Sequence, residues 1–159
     1  MEAFLGWLEG AALGQFVRGS GVWAYAVLNL AHILGVATLF GSVLVLDLRL
    51  LGLWRRVPLE ALERPTVPLA VLGFAVAVAS GTAMLSTNAS EYVGNPFLPL
   101  KLGAILAAGL NLVVLQALPA WRARRTASPG GGRALAASGG VSLLCWLTAV
   151  AAGRMIGYW

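Results

Sequence analysis

Residues 22–45 read VWAYAVLNLAHILGVATLFGSVLV, an apolar run of about 24 residues that would rise roughly 36 Å as a helix. The hydrocarbon core of a bilayer is about 30 Å thick, so this run predicts a membrane span. Further apolar runs at about 67–85, 97–118 and 134–153 repeat the pattern. In hydrocarbon every backbone amide and carbonyl must be bonded internally, which leaves helices as the solution for isolated runs of this length. Composition agrees: 59% of the 159 residues are hydrophobic and 11% are charged, against roughly a quarter charged in soluble domains. The short connections predict an all-α integral membrane protein, one membrane domain over 1–159 built as an up-and-down four-helix bundle.

Residues 3–17, AFLGWLEGAALGQFV, bring Phe4, Leu5, Leu8, Ala12 and Phe16 to one side at helical spacing but are too short to cross. They predict an N-terminal amphipathic helix lying in the interface, with Trp7 at headgroup level. Before the second span Pro58 and Pro65 bound about one amphipathic turn, and TASPGGG reads as a flexible linker before the fourth span.

Basic residues set the orientation. The 46–66 loop holds Arg49, Arg55, Arg56 and Arg64, the 119–133 loop holds Arg122, Arg124, Arg125 and Arg133, and only Arg18, Lys101 and Arg154 stand opposite. That positive-inside bias puts both loops in the cytoplasm and both termini outside. The Ala, Gly, Leu and Arg bias points to a bacterial inner membrane. A net charge of +5 would suit nucleic acid, but the cations cluster at span ends, so the expected partner is the lipid bilayer and not nucleic acid. A single cysteine, Cys145, allows neither an intramolecular disulfide nor a thiolate metal cluster. Glu2 and Glu9 precede the first basic residue, Arg18, the wrong charge for a signal peptide, so the mature chain is expected to keep its first residues.

His32 is the only histidine and falls about ten residues into the first span, near the midplane, where an ionisable side chain is costly unless used or paired. Imidazole at that depth suits a haem iron or a moving proton. Equally, it suits a hydrogen bond to a neighbouring helix through Asn29, Asn111 or a serine. Lys101 opens the third span and Arg154 closes the fourth, both in the outer layer about one or two turns above His32. A planar anionic ligand centred on His32 would find its carboxylates beside them, as a haem standing on edge does. Taken singly, each cation snorkels to the headgroups. Gly35 and Gly41 leave room beside the imidazole for a flat macrocycle or for another helix.

Asp47 and Arg49 are expected to reach water as a charged collar at the inner end, a cap contacting the Arg122, Arg124 and Arg125 cluster, with proton entry at Asp47 as the alternative. Small residues every four positions, Gly73, Ala77 and Gly81 in the second span and Ala149, Gly153 and Gly157 in the fourth, mark faces for close helix contact. Asn111 and Gln116 are expected to bond across helices.

Together, His32-Ile33-Leu34-Gly35, Gly41, Asp47-Leu48-Arg49-Leu50-Leu51-Gly52, Asn95-Pro96, Leu100-Lys101-Leu102 and Gly153-Arg154 resemble a family of uncharacterised bacterial four-helix membrane proteins over nearly the whole chain. More distantly, a histidine followed by small residues in the first span and a lysine opening the third is similar to the copper-resistance D proteins and to membrane-bound, haem-containing protoporphyrinogen oxidases. The resemblance implies a haem b with His32 as axial ligand and Lys101 and an arginine at the porphyrin carboxylates. The chain departs from these relatives at Gln116, where a histidine often ends the third span. A bis-histidine site is therefore excluded. A haem would be five-coordinate or take Met84 or Met155, unless this member has lost the cofactor.

Two functions from different classes follow as expectations. One is a small haem-binding membrane protein of redox character. The other is a cofactor-free membrane module that assembles as a homo-oligomer or with another membrane subunit through its small-residue faces. No nucleotide, flavin or metal-cluster motif is present, so the residues assign no reaction.

Overall fold

The computed structural model describes residues 2–122 and 132–159, and all regular structure among them is helical. In chain order the helices are α1 (Glu2–Gly10), α2 (Ala12–Gly19), α3 (Gly21–Leu51), α4 (Leu59–Thr87), α5 (Phe97–Ala117), α6 (Pro119–Arg122) and α7 (Gly132–Ile156). A 3-10 turn, Ala89–Tyr92, joins α4 to α5. Helices α3, α4, α5 and α7 are long and apolar enough to cross a membrane. Arg124, Arg125 and the linker from 126 to 131 lie outside the described residues.

Three boundaries differ from those the sequence predicts, each for a local reason. The interfacial segment forms two helices because the backbone extends at Ala11, with φ −66° and ψ 152°. That break resets the helical register, so Leu5, Leu8 and Val17 are buried while Phe16 and Trp7 face outward. Helix α3 runs past 45 to Leu51, since Leu46, Leu48, Leu50 and Leu51 keep feeding the apolar pattern until Gly52 turns the chain at φ 109°. Helix α4 starts at Leu59 and passes through Pro65 and Pro68 without a break, where a short separate turn is expected from sequence. The carbonyls these prolines leave unbonded belong to Ala61 and Arg64, both exposed, so water can satisfy them.

The chain divides into two compact units: Met1–Leu39 with Val71–Asn95, and Phe40–Ala70 with Pro96–Trp159. In the first unit α3 and α4 run antiparallel at backbone contact. A Cβ on Gly35 would stand 2.8 Å from the Ala77 amide nitrogen, and one on Gly73 would stand 2.6 Å from that of Leu39. Helices α1 and α2 dock over the end of α4, with Gly14 against the Ser86 carbonyl. Arg18 fastens this end, giving Nη2 to the Glu9 carbonyl at 2.8 Å and Nη1 to the carbonyls of Ser86 and Thr87. An arginine there satisfies carbonyls that a helix C-terminus leaves unpaired. The Glu9 carboxylate in turn accepts the Ser90 backbone N–H at 2.7 Å.

In the second unit α5 lies antiparallel along α7, burying Ala104, Ala108, Leu115, Ala149 and Ala152. Asn111 donates from Nδ2 to the Ser138 carbonyl at 3.0 Å and accepts the Ser138 hydroxyl at 3.2 Å. The C-terminal part of α3 meets α7 at Gly139, where a Cβ would stand 2.9 Å from that of Leu50.

Candidate functional site

His32 points from α3 onto α4 and is half-buried. Its Nδ1 lies 2.9 Å from the Ala77 carbonyl and 3.2 Å from Ser80 Oγ. The Ser80 hydroxyl donates its own hydrogen to the Val76 carbonyl at 2.5 Å, so its oxygen is left to accept. Both neighbours of Nδ1 are therefore acceptors, which assigns the ring hydrogen to Nδ1 and makes Nε2 the basic nitrogen. Gly81 supplies the space: a Cβ there would stand 2.9 Å from His32 Cε1. Met84 follows one turn on, along the same stripe of α4, and is half-buried.

Gly35 does not keep open room beside the imidazole, because the backbone of α4 at Gly73 and Ala77 takes up the space it leaves. A Cβ on Gly41 would meet nothing within 4 Å.

In the second unit the stem of Lys101 lies across Gly153, with Nζ 3.4 Å from where a Cβ would be. Arg154, next in sequence, is exposed, bonds the Tyr158 hydroxyl and stacks over that ring at 4.5 Å. Lys101 and Gly153 are thus brought together at one end of the α5–α7 seam, and Asn111 works at the other. Gln116 and Met155 are exposed.

Asp47 corrects an expectation. It does not reach water in a charged collar but is 4% exposed, with its backbone against the gap that Gly139 of α7 opens. Its Oδ2 has no hydrogen-bond partner among the described residues. Arg49 leaves in another direction, giving Nε to the Val57 carbonyl at 2.9 Å and Nη2 to that of Arg55, which ties the turn after α3.

A serine is among the partners the sequence suggests for His32, and it is Ser80; the capping role of Arg18 is not foreseen. Ser80 shares the small-residue stripe of Ala77 and Gly81, which was the available signal. Arg18 enters the sequence reading only as a cation opposite the basic loops, although a lone cation beside a helix end is a capping signal. Around that end, the Ser90 amide and hydroxyl hold the Glu9 carboxyl below its ordinary range, against a small effect of desolvation. Burial, then the neighbouring Tyr25 and Glu91, push the Tyr92 phenol up.

Fold and sites together define an all-helical class of chain, with four helices long and apolar enough to cross a membrane and polar groups placed on helix–helix contacts. Residues 4–159 match the family of unknown function DUF6644, and the chain belongs to that family. No curated protein and no solved structure matches it.

Proposed function

We propose that the chain is a multi-pass protein of the bacterial inner membrane, with both termini outside, that binds a haem b through His32. The observation that supports this reading is the state of the imidazole. Its Nδ1–H is engaged by the Ala77 carbonyl and Ser80 Oγ, as the outer nitrogen of a metal-binding histidine is held by a carbonyl or carboxylate. That arrangement would suit His32 to hold a haem iron, since the bonded Nδ1–H fixes the tautomer and orientation of the ring. The chemistry such a group would supply there is one-electron transfer.

The protein's part is to orient the ring, which Gly81 does by its missing side chain and Ser80 by its directed lone pair. Met84 is the thioether nearest in sequence to that seat. The rival reading, a cofactor-free module assembling through its small-residue faces, has less to build on. Gly35, Gly73 and Gly81 are already occupied within the chain, and Gly153 carries the Lys101 stem.

The test is a visible spectrum of the detergent-purified full chain, produced with haem in supply. A Soret band that shifts on dithionite reduction and is lost in His32→Ala is expected. A colourless preparation that takes up no added haem, or a band unchanged in His32→Ala, overturns the assignment.

A further inference from the structure

Where α2 meets the neighbouring ends of α3 and α4, two clefts share Val17 in their linings, one carrying charged groups and the other almost wholly apolar. One, of about 330 Å³, is of mixed lining and carries the polar groups of Arg18, Tyr25, Asn88, Glu91 and Tyr92. The other, of about 450 Å³, is apolar and runs over Phe16, Trp23, Ala24, Val27 and Ala83. Their placement along the chain matters. Ala24, Val27 and Ala83 lie inside the apolar stretches of α3 and α4, whereas Arg18, Asn88 and Glu91 lie just beyond the ends of those stretches. A polar seat and an apolar groove meeting where a span ends have the two halves of an amphiphile's shape.

The charges narrow the class. Arg18 spends Nη1 and Nη2 on three carbonyls, which holds it in place, while its Nε–H has no acceptor among the described residues. Glu91 takes the Asn88 amide on Oε1 at 3.2 Å and keeps its other oxygen for a second donor. One fixed cation and one carboxylate therefore face the same cleft. A phosphate suits the guanidinium. A primary ammonium, which donates hydrogen bonds, suits Glu91 and the faces of Tyr25 and Tyr92. A glycerol headgroup, with the same phosphate, would give Glu91 neutral hydroxyls in place of a cation, a weaker partner for a carboxylate, and a choline headgroup has no N–H to give.

We infer that this composite cleft binds a phospholipid with an ethanolamine headgroup. Its phosphate lies against Arg18, its ammonium against Glu91 and Tyr92, and one acyl chain lies along Val17, Ala24 and Val27. The site uses neither His32 nor any metal, so it stands or falls apart from the haem proposal.

The experiment is native mass measurement of the full chain in detergent, titrated with phosphatidylethanolamine or phosphatidylglycerol of matched chains. The wild type should retain the ethanolamine lipid roughly five-fold better, the size of one solvent-exposed charge pair. Glu91→Gln, at an exposed position that should not disturb folding, is expected to erase the preference while both lipids still bind. Ala24→Phe should lower retention of both lipids by filling the groove. Glycerophosphoethanolamine, which lacks acyl chains, should fail to displace the lipid at equal concentration. Equal retention of the two lipids by the wild type, a preference that survives Glu91→Gln, undiminished retention in Ala24→Phe, or displacement by the chainless headgroup would each overturn the assignment.

Discussion

The α3–α4 contact of the first unit and the α5–α7 contact of the second grow from the same sequence pattern, small residues at four-residue intervals, and are built differently. On α3–α4, glycine faces glycine and the two backbones touch, with Gly73 closing on Leu39 and Gly35 on Ala77. On α5–α7 the buried small residues are alanines and Ser138, and the atoms nearest a Cβ on Gly153 are those of the flexible Lys101 stem at 3.4 to 3.6 Å. The polar contacts follow suit. Backbone contact lets a ring from one helix reach a main-chain carbonyl of the other, as His32 reaches Ala77. The alanine seam instead uses a side-chain pair, Asn111 with Ser138. A small-residue stripe thus announces a close neighbour, while the glycine content decides whether main chain or side chains do the bonding.

Adding one methyl to each seam should expose that difference most sharply. In Gly73→Ala the new Cβ would stand 2.6 Å from a backbone nitrogen that cannot swing aside, so the helices must part. Overpacking of this kind costs about 1–3 kcal/mol or more. In Gly153→Ala the neighbour is the end of a lysine, which can give way, and helix propensity favours alanine over glycine by about 1 kcal/mol. Reversible unfolding in mixed micelles, followed by circular dichroism, should find the first variant strongly destabilised and the second neutral or slightly stabilised. Equal losses would erase the distinction between the seams.

A smaller effect is expected at the polar pair of α5–α7. Asn111→Ala leaves Ser138 without its partner, and a double-mutant cycle with Ser138→Ala should give a coupling of about 0.6–1.7 kcal/mol, the range seen between membrane helices. Coupling near zero would mean that the alanines alone hold the seam.

Much of the helical scaffold was legible because an apolar run longer than a bilayer is thick leaves few alternatives. Its ends were less so. Pro65 and Pro68 read as breakers, yet they stand where freed carbonyls can reach water, and Leu48, Leu50 and Leu51 carry α3 beyond the first charge. At the candidate site, the small stripe through Gly73 and Gly81 could be seen, but the acceptor for His32 could not. A main-chain carbonyl leaves no mark in a sequence, and which carbonyl is met depends on the register of two helices. Asp47 misled for a related reason: a charge near a span end ordinarily meets water, and only the pairing of α3 with Gly139 on α7 reveals a gap that takes it inside.

Acid should distinguish the two regions by the smallest of these effects. The Ser90 N–H bonded to Glu9 holds that carboxyl below its ordinary range, with Arg18 adding a lesser pull. A carboxyl whose value is lowered when docked favours docking fully above the ordinary glutamate value of about 4.3. That advantage fades as pH falls toward the lowered value, below which docked and undocked forms are protonated alike. The Ser90 amide resonance should therefore titrate with a midpoint beneath the ordinary glutamate range, and Glu9→Gln should abolish the titration. The Asn111 side-chain amide, bonded to a carbonyl and a hydroxyl that do not ionise, should stay put over the same interval. A Ser90 midpoint at the ordinary value would show that the contact does not discriminate between the forms of Glu9. Movement of Asn111 along with Ser90 would show that acid acts on the whole fold, and not on the fastening that holds α1 and α2 over the end of α4.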